Sequence, residues 1–113
     1  MKRLYILTRN DLGLAYQAVQ GAHAVAQFML DRPESDWKNG YLIFLAVEDE
    51  SSLSVWAGKI LSHNWMNSKE KEIPISEFYE PDLDNQLTAI AVYTTGTKFK
   101  NLPIMQREIL EEV

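Results

Sequence analysis

The stretch from residue 12 to residue 30 contains no charged side chain, although Asp, Glu, Lys and Arg make up 24% of the chain. Its apolar residues recur at the spacing of a helix, and a helix on a protein surface normally carries charges on its outer face. The sequence therefore predicts a helix over 12–30 that differs from an ordinary amphipathic surface helix.

The polar side chains of this helix share one face. Tyr16, Gln20, His23 and Gln27 lie at offsets of 0, 4, 7 and 11 residues, which is the spacing of a helical stripe. Such a neutral stripe indicates a cleft, an interface or a polar network in the core. His23 is its only side chain that titrates near neutral pH. In the simplest interpretation, His23 and Gln20 only satisfy buried backbone groups, which need partners.

Alanines occupy much of the remaining surface of the helix. Small side chains let a helix lie close to a neighbouring element, so we expect the alanine-rich face to pack on the sheet, against the strand at 3–8. The residues of that face are Ala15, Ala18, Ala22 and Ala26.

The composition limits the chemistry that the chain can perform. Its 113 residues are enough for one domain, 1–113, with a core of its own. It has no cysteine and only two histidines, His23 and His63, which excludes a thiolate metal site and a His-rich zinc motif. A metal held by carboxylates alone stays open. The lack of cysteine fits a reducing cytoplasm, and the glutamines and His23 make 12–30 a poor membrane helix. We therefore expect a cytoplasmic protein that does not enter a membrane.

The chain is acidic, with 11 basic and 16 acidic residues and a formal net charge of −5. This charge weighs against tight, non-specific binding to nucleic acids, which depends on neutralising phosphates. A local basic patch stays open. Its candidates are Lys2, Arg3 and Arg9 near one end of the chain and Lys98 and Lys100 near the other.

Apolar runs at 3–8, 41–47 and 87–94 predict buried strands. Ile73 and Ile75 indicate a further short strand, which the intervening Pro74 assigns to an edge of the sheet. With the helices between them, these strands predict an α/β fold. Its architecture is a three-layer α/β/α sandwich with a small mixed four-stranded sheet.

The ends of the helices carry recognisable signals. Asn10 or Asp11 can cap the first helix, and Asp49 with nearby serines can cap a second helix that ends near His63. A terminal helix is indicated from residue 102 onward by the apolar residues Met105, Ile109 and Leu110.

Candidate catalytic residues lie on the first helix and around the turn before the last strand. Because loops at strand ends build the sites of α/β sheets, we expect these two regions to converge. An ordinary histidine pKa of about 6.5 suits proton transfer near pH 7, so His23 is the predicted general base. Gln20, one turn earlier, would orient water or donate to an oxyanion. The full set is Asp11, Gln20, His23, Glu80, Asp82 and Thr88.

Three segments of the chain point to one known family. Residues 9–12 read Arg-Asn-Asp-Leu, residues 18–24 read Ala-Val-Gln-Gly-Ala-His-Ala, and residues 87–92 read Leu-Thr-Ala-Ile-Ala-Val. Together they resemble the class II peptidyl-tRNA hydrolases, the archaeal and eukaryotic type, loosely over 1–95. The resemblance implies a compact α/β fold and hydrolysis of the ester between a peptide and the 3′ end of tRNA. It also implies that no metal or cofactor is used.

The resemblance carries over His23 and Gln20 directly and Asp11 and Thr88 more loosely. Thr88 would hydrogen-bond the substrate or orient the catalytic acid. Peptidyl-tRNA would be the partner, and its binding candidates are Arg9, Tyr16, Lys98 and Lys100.

The chain departs from the family at two places. The family has a helix lysine seven residues before its histidine, and here that position is Tyr16. The family's acidic turn is replaced by Glu-Pro-Asp-Leu at 80–83, in which Glu80 or Asp82 would take the role of the acid.

Two other functions fit the same residues. One is a non-catalytic binding or regulatory domain of the same fold, which we expect to be a homodimer. The missing lysine, the acidic surface and apolar mass beyond the needs of a small core support it, the last including Trp37, Trp56 and Trp65. The other is hydrolysis of a different small ester or amide, which does not require RNA.

Overall fold

The first strand, β1, is buried on both faces because its side chains from Leu4 to Leu7 are all apolar. The structure, a computed structural model, describes residues 1–103 and 105, apart from the side chain of Lys98. Its strands and α-helices are β1 (Arg3–Arg9), α1 (Leu14–Asp31), β2 (Leu42–Val47), α2 (Glu50–Met66), β3 (Ile75–Glu80) and β4 (Gln86–Thr94).

The sheet has the strand order β2-β1-β4-β3, so β1 is a central strand. β1 pairs in parallel with β2 and antiparallel with β4, which pairs antiparallel with β3. β3 lies at an edge, directly after Pro74. The predicted mixed sheet of four strands is confirmed, and so is the edge position of the strand beside the proline.

One helix covers each face of the sheet. α2 packs on the cluster that contains Leu53, Ile60 and Ile90, and α1 packs on the cluster that contains Phe28 and Ala91. These layers confirm the three-layer α/β/α sandwich. α1 lies mainly over β4 and β3, with fewer contacts to β1.

The predicted orientation of α1 is wrong. Ala15, Ala18, Ala22 and Ala26 are exposed, and the helix instead buries a face centred on Gln20. The residues of the buried face are Gln17, Gln20, Gly21, Ala24 and Phe28. The reason is that two glutamines of this face have hydrogen-bond partners on the sheet, whereas the alanines have no comparable partner.

None of the described helices has the length and hydropathy needed to cross a membrane.

The start of α1 also differs from the prediction. Asn10 and Asp11 lie in a short 3-10 helix, and the residue before α1 is Gly13, with no capping side chain. Gly13 has φ of 77°, in the region that favours glycine. The predicted cap at Asn10 or Asp11 is therefore wrong, because the backbone turns once more before the helix begins.

The second helix begins as predicted and ends later. The Asp49 carboxylate accepts a hydrogen bond from the Ser52 N–H at 2.9 Å. At the other end, the Asn67 side chain donates to the His63 carbonyl at 2.8 Å, and the His63 ring contacts the Lys71 carbonyl. The helix extends to Met66 because Asn67 serves as the cap.

The predicted terminal helix does not begin at residue 102. Leu102, Pro103 and Met105 are not helical. Instead, the Met105 N–H donates to the Phe44 carbonyl and the Ala46 N–H to the Pro103 carbonyl, along the outer edge of β2. Ile109 and Leu110 lie outside the described residues. Two of the three tryptophans belong to the core, since Trp37 is buried and Trp56 half-buried, while Trp65 is 90% exposed.

We expect Gly21→Ala to destabilise the fold by about 1–3 kcal/mol, because the added Cβ would overlap the ring of Phe44. The matched control is Gly58→Ala in α2, where a Cβ meets no neighbouring atom. That change should stabilise the fold by about 0.5–1 kcal/mol, the usual gain in a helix interior. Urea denaturation of the two variants measures both effects, and equal stabilisation would contradict the observed position of α1.

Candidate functional site

Three of the predicted site residues meet, each from a different element. The Gln20 side-chain N–H of α1 donates to the Glu80 carboxylate at the end of β3, at 2.8 Å. The Thr88 hydroxyl of β4 donates to the Gln20 carbonyl oxygen at 2.6 Å. Gln20 and Thr88 are fully buried and Glu80 is 8% exposed. The expected convergence of the first helix and the turn before the last strand is therefore what the structure has.

The turn between β3 and β4 brings Glu80 under α1. A β-bulge between Phe78 and Tyr79 shifts the register of β3 against β4. A short 3-10 helix follows, after which Asp84 and Asn85 adopt φ of 54° and 59°. Asn85 then donates its N–H to the Glu80 carbonyl at 2.9 Å, which closes the turn. Hydrogen bonds thus hold Glu80 at its backbone carbonyl as well as at its side-chain carboxylate.

A second glutamine repeats this arrangement. The Thr8 hydroxyl of β1 donates to the Gln17 carbonyl oxygen at 2.9 Å, and both side chains are buried. Gln17 and Gln20 are three residues apart and so share one face of α1. Gln17 and Thr8 were not among the predicted site residues. The position of Gln17, one turn before Gln20, could have indicated its role.

The surroundings of Glu80 favour its ionised form. The hydrogen bond from Gln20 is the main cause that lowers the pKa of Glu80 below its ordinary value, and the N–H of Asp82 adds to it. The positive charge that His23 carries when protonated acts in the same direction. Glu80 is therefore a carboxylate at neutral pH, and it lies within electrostatic reach of His23.

His23 is exposed and is held by an aromatic ring. Its imidazole stacks on Phe78, with the ring centroids 4.6 Å apart and the planes within 8°. The interpretation that His23 satisfies a buried group is therefore wrong. For Gln20 the polar-network interpretation is right, but its partners are side chains of β3 and β4 rather than backbone groups.

Arg9 and Asp11 form a separate pair at the carboxyl end of β1. The Arg9 guanidinium donates to both Asp11 oxygens, at 3.1 and 2.8 Å, and also to the Gln86 side chain and the Leu87 carbonyl. These bonds lower the pKa of the Asp11 carboxyl and raise that of Arg9. The Glu50 carboxylate accepts the N–H of Leu87, so both backbone groups of that residue have charged partners.

The side chains of the remaining candidates take no part in the Gln20 network. Tyr16 is half-buried one turn before Gln20, and exposed Asp82 contributes only its backbone N–H, which bonds to Glu80.

The predicted basic residues do not form one patch. Residues 98–100 follow the far end of β4, which pairs with the start of β1, where Lys2 and Arg3 lie. Arg9 is at the opposite end of β1, a strand about 20 Å long, and so lies apart from the others.

A cleft on the α2 side of the sheet was missed by the sequence analysis. It has a volume of about 370 Å³ and lies where β1 and β2 end, with Asn10, Glu48, Ser52 and Trp56 among its lining residues. The chain leaves β1 toward one face of the sheet and β2 toward the other. α/β sheets often bind ligands beside such a pair of strands, at their carboxyl ends. Within the described part of the chain, no group of three His, Asp or Glu side chains is placed to hold a metal ion.

No protein-family model matches this chain, and a comparison with curated protein sequences finds no match. The resemblance to peptidyl-tRNA hydrolases therefore depends on the residues at 9–12, 18–24 and 87–92 and stays a prediction.

We expect Gln20→Ala to lower the free energy of unfolding by about 1–3 kcal/mol, because Thr88 and Glu80 each lose a buried partner. Gln27→Ala on the same helix is the control, since Gln27 bonds only to exposed Asp31 and its loss should cost no more than about 0.5 kcal/mol. Chemical denaturation compares the two, and equal losses would show that the network does not hold α1.

The stability of the protein should depend on pH through Glu80. Its folded-state pKa lies below the ordinary value of 4.5, so its contribution is present above that value and is lost as pH falls through the folded pKa. Wild type should exceed Glu80→Gln in stability at pH 7, and the difference should shrink below about pH 4.5. Denaturation curves at several pH values test this, and a constant difference would contradict it.

Proposed function

We propose that this protein hydrolyses the ester between a peptide and the 3′ end of tRNA, with His23 as general base and no metal or cofactor. The observation that carries the proposal is the position of His23. Its ring is open to solvent, is oriented by Phe78 and lies near a carboxylate that is ionised at neutral pH. A general base must reach the proton that it removes, and an exposed imidazole can do so.

Glu80 has a supporting role in this proposal. A carboxylate near an imidazole stabilises the imidazolium that forms when the base takes a proton from water. Gln20 and the Asp82 N–H hold the carboxylate in place. The Gln20 side chain is fully buried and is bonded to Glu80 and Thr88, so Gln20 positions Glu80 and does not donate to the oxyanion. Thr88 in turn positions Gln20.

Recognition of tRNA would be weak in this proposal. The charge of Arg9 is compensated by Asp11, and Lys100 lies toward the other end of the sheet. Binding would therefore be weak at any salt concentration, and its affinity would fall only gradually with added salt, because few phosphates are neutralised by exposed cations. Such a substrate places the protein in the cytoplasm.

The second candidate is a non-catalytic binding or regulatory domain that forms a homodimer. Two observations favour it. The charge of Arg9 is compensated by Asp11, and the outer surface of α1 is apolar. In this case His23 would take no part in chemistry, and the polar network under α1 would serve stability alone.

We expect His23→Asn to abolish release of free tRNA from a peptidyl-tRNA analogue without lowering the melting temperature, because asparagine cannot accept the proton and the site is exposed. The control is His63→Asn on α2, which should retain turnover. Its ring contacts only the Lys71 carbonyl and Asn67, on the other side of the sheet from His23.

The same assay separates the two candidates. If the wild-type chain releases no tRNA and binds none at low salt, the non-catalytic domain is favoured. If His23→Asn turns over within a few-fold of wild type, His23 is not the base.

A further inference from the structure

The outer face of α1 is apolar along its whole length. Val19 is 50% exposed, Met29 56% and Leu30 76%, and four alanines of the same face are exposed as well. Charged side chains are absent from this face because the sequence has none between 12 and 30. The face consists of Ala15, Ala18, Val19, Ala22, Ala26, Met29 and Leu30, and we call it the α1 surface.

The α1 surface continues onto the sheet. β2 is the strand that α1 covers least, and its Leu42 is 42% exposed on the side that faces α1. Phe44, on the same side of β2, lies against Gly21 and is half-buried. On the other flank, His23 and Phe78 form the border. The apolar area thus extends from β2 across α1 to β3.

Charge decides which partner fits this surface. A charged group placed against it would be desolvated without a counterpart, which is costly. The protein carries a net charge of −5, so two copies repel each other unless they meet where neither has a charge. Among the residues that the structure describes, the α1 surface meets that condition on both copies at once.

The size of the surface is sufficient for a modest dimer. An 18-residue helix is about 27 Å long, and four strands at about 4.8 Å give a width of about 19 Å. Two such areas bury about 1,000 Å² in total, at the lower limit of specific interfaces. Ala22 lies near the middle of α1, so a two-fold axis beside it lets both helices pair along their length, and the alanines let them approach closely.

We propose that the α1 surface binds a second copy of this chain, through antiparallel pairing of the two α1 helices about an axis near Ala22. The inference is independent of the proposed hydrolysis, because it depends only on the exposure and the charge of α1. The dimer would place the partner's α1 beside His23, which borders the interface.

Sedimentation of the full chain over a range of concentrations tests the proposal. Wild type should dimerise with a dissociation constant on the order of micromolar, in keeping with the small interface. Ala22→Glu should weaken the dimer at least about tenfold, because two like charges would face each other across the axis. Ala22 is exposed, so the variant should fold. Ser54→Glu, at an exposed position of α2, is the matched control and should dimerise like wild type.

A mixture of two variants tests whether the α1 surfaces of two copies contact each other. Ala22→Glu and Ala22→Lys should each be monomeric where wild type is dimeric, and an equimolar mixture should associate again. A wild-type chain that stays monomeric at all concentrations would overturn the proposal. So would an Ala22→Glu variant that dimerises as tightly as wild type, because the contact would then lie elsewhere.

The two histidines provide a second readout that does not require activity. Modification of His23 by diethyl pyrocarbonate should be slower in the wild-type dimer than in monomeric Ala22→Glu. The rate at His63, on the far layer of the fold, should be the same in both. Equal rates at His23 would show that the interface does not reach it and would overturn the placement of the axis.

Discussion

The rotation of α1 depends on two buried amides that bond to the sheet, the side chain of Gln17 and above all that of Gln20. An amide in a core is tolerated only when its donor and acceptor both have partners, and here Glu80 and Thr88 provide them. These partners lie on two strands, so the amide fixes α1 against both. His23, three residues later on the helix, is thereby placed above Phe78. The alanines are turned outward for the same reason.

Much of the fold was predictable from the sequence because the strands are strongly apolar. A run such as 3–8 fits only a strand buried on both faces, and Pro74 fits only an edge. The meeting of Gln20 with Glu80 and Thr88 was also predictable, since residues before the last strand and on the first helix lie at one end of an α/β sheet. The individual hydrogen bonds among these three side chains were not predictable.

The rotation of α1 and the contact of Arg9 with β4 could not be predicted, for physical reasons. A helix that is apolar on nearly all sides has no hydrophobic periodicity that distinguishes its buried face from its exposed face, so the hydrogen bonds of Gln20 to the sheet determine the rotation. The Asp11 carboxylate that compensates the charge of Arg9 lies only two residues away and could have been predicted. Gln86, the other side-chain partner of Arg9, is 77 residues away, and only the pairing of β1 with β4 brings the two together.

The start of β4 has a consequence for how the layers move. Leu87 is held by Glu50 from the α2 side, while the next residue, Thr88, is held by Gln20 from the α1 side. Consecutive residues are therefore tied to opposite layers of the sandwich through polar bonds. Separating either helix from the sheet would therefore break a hydrogen bond at one of two neighbouring residues of β4, which a single peptide bond joins.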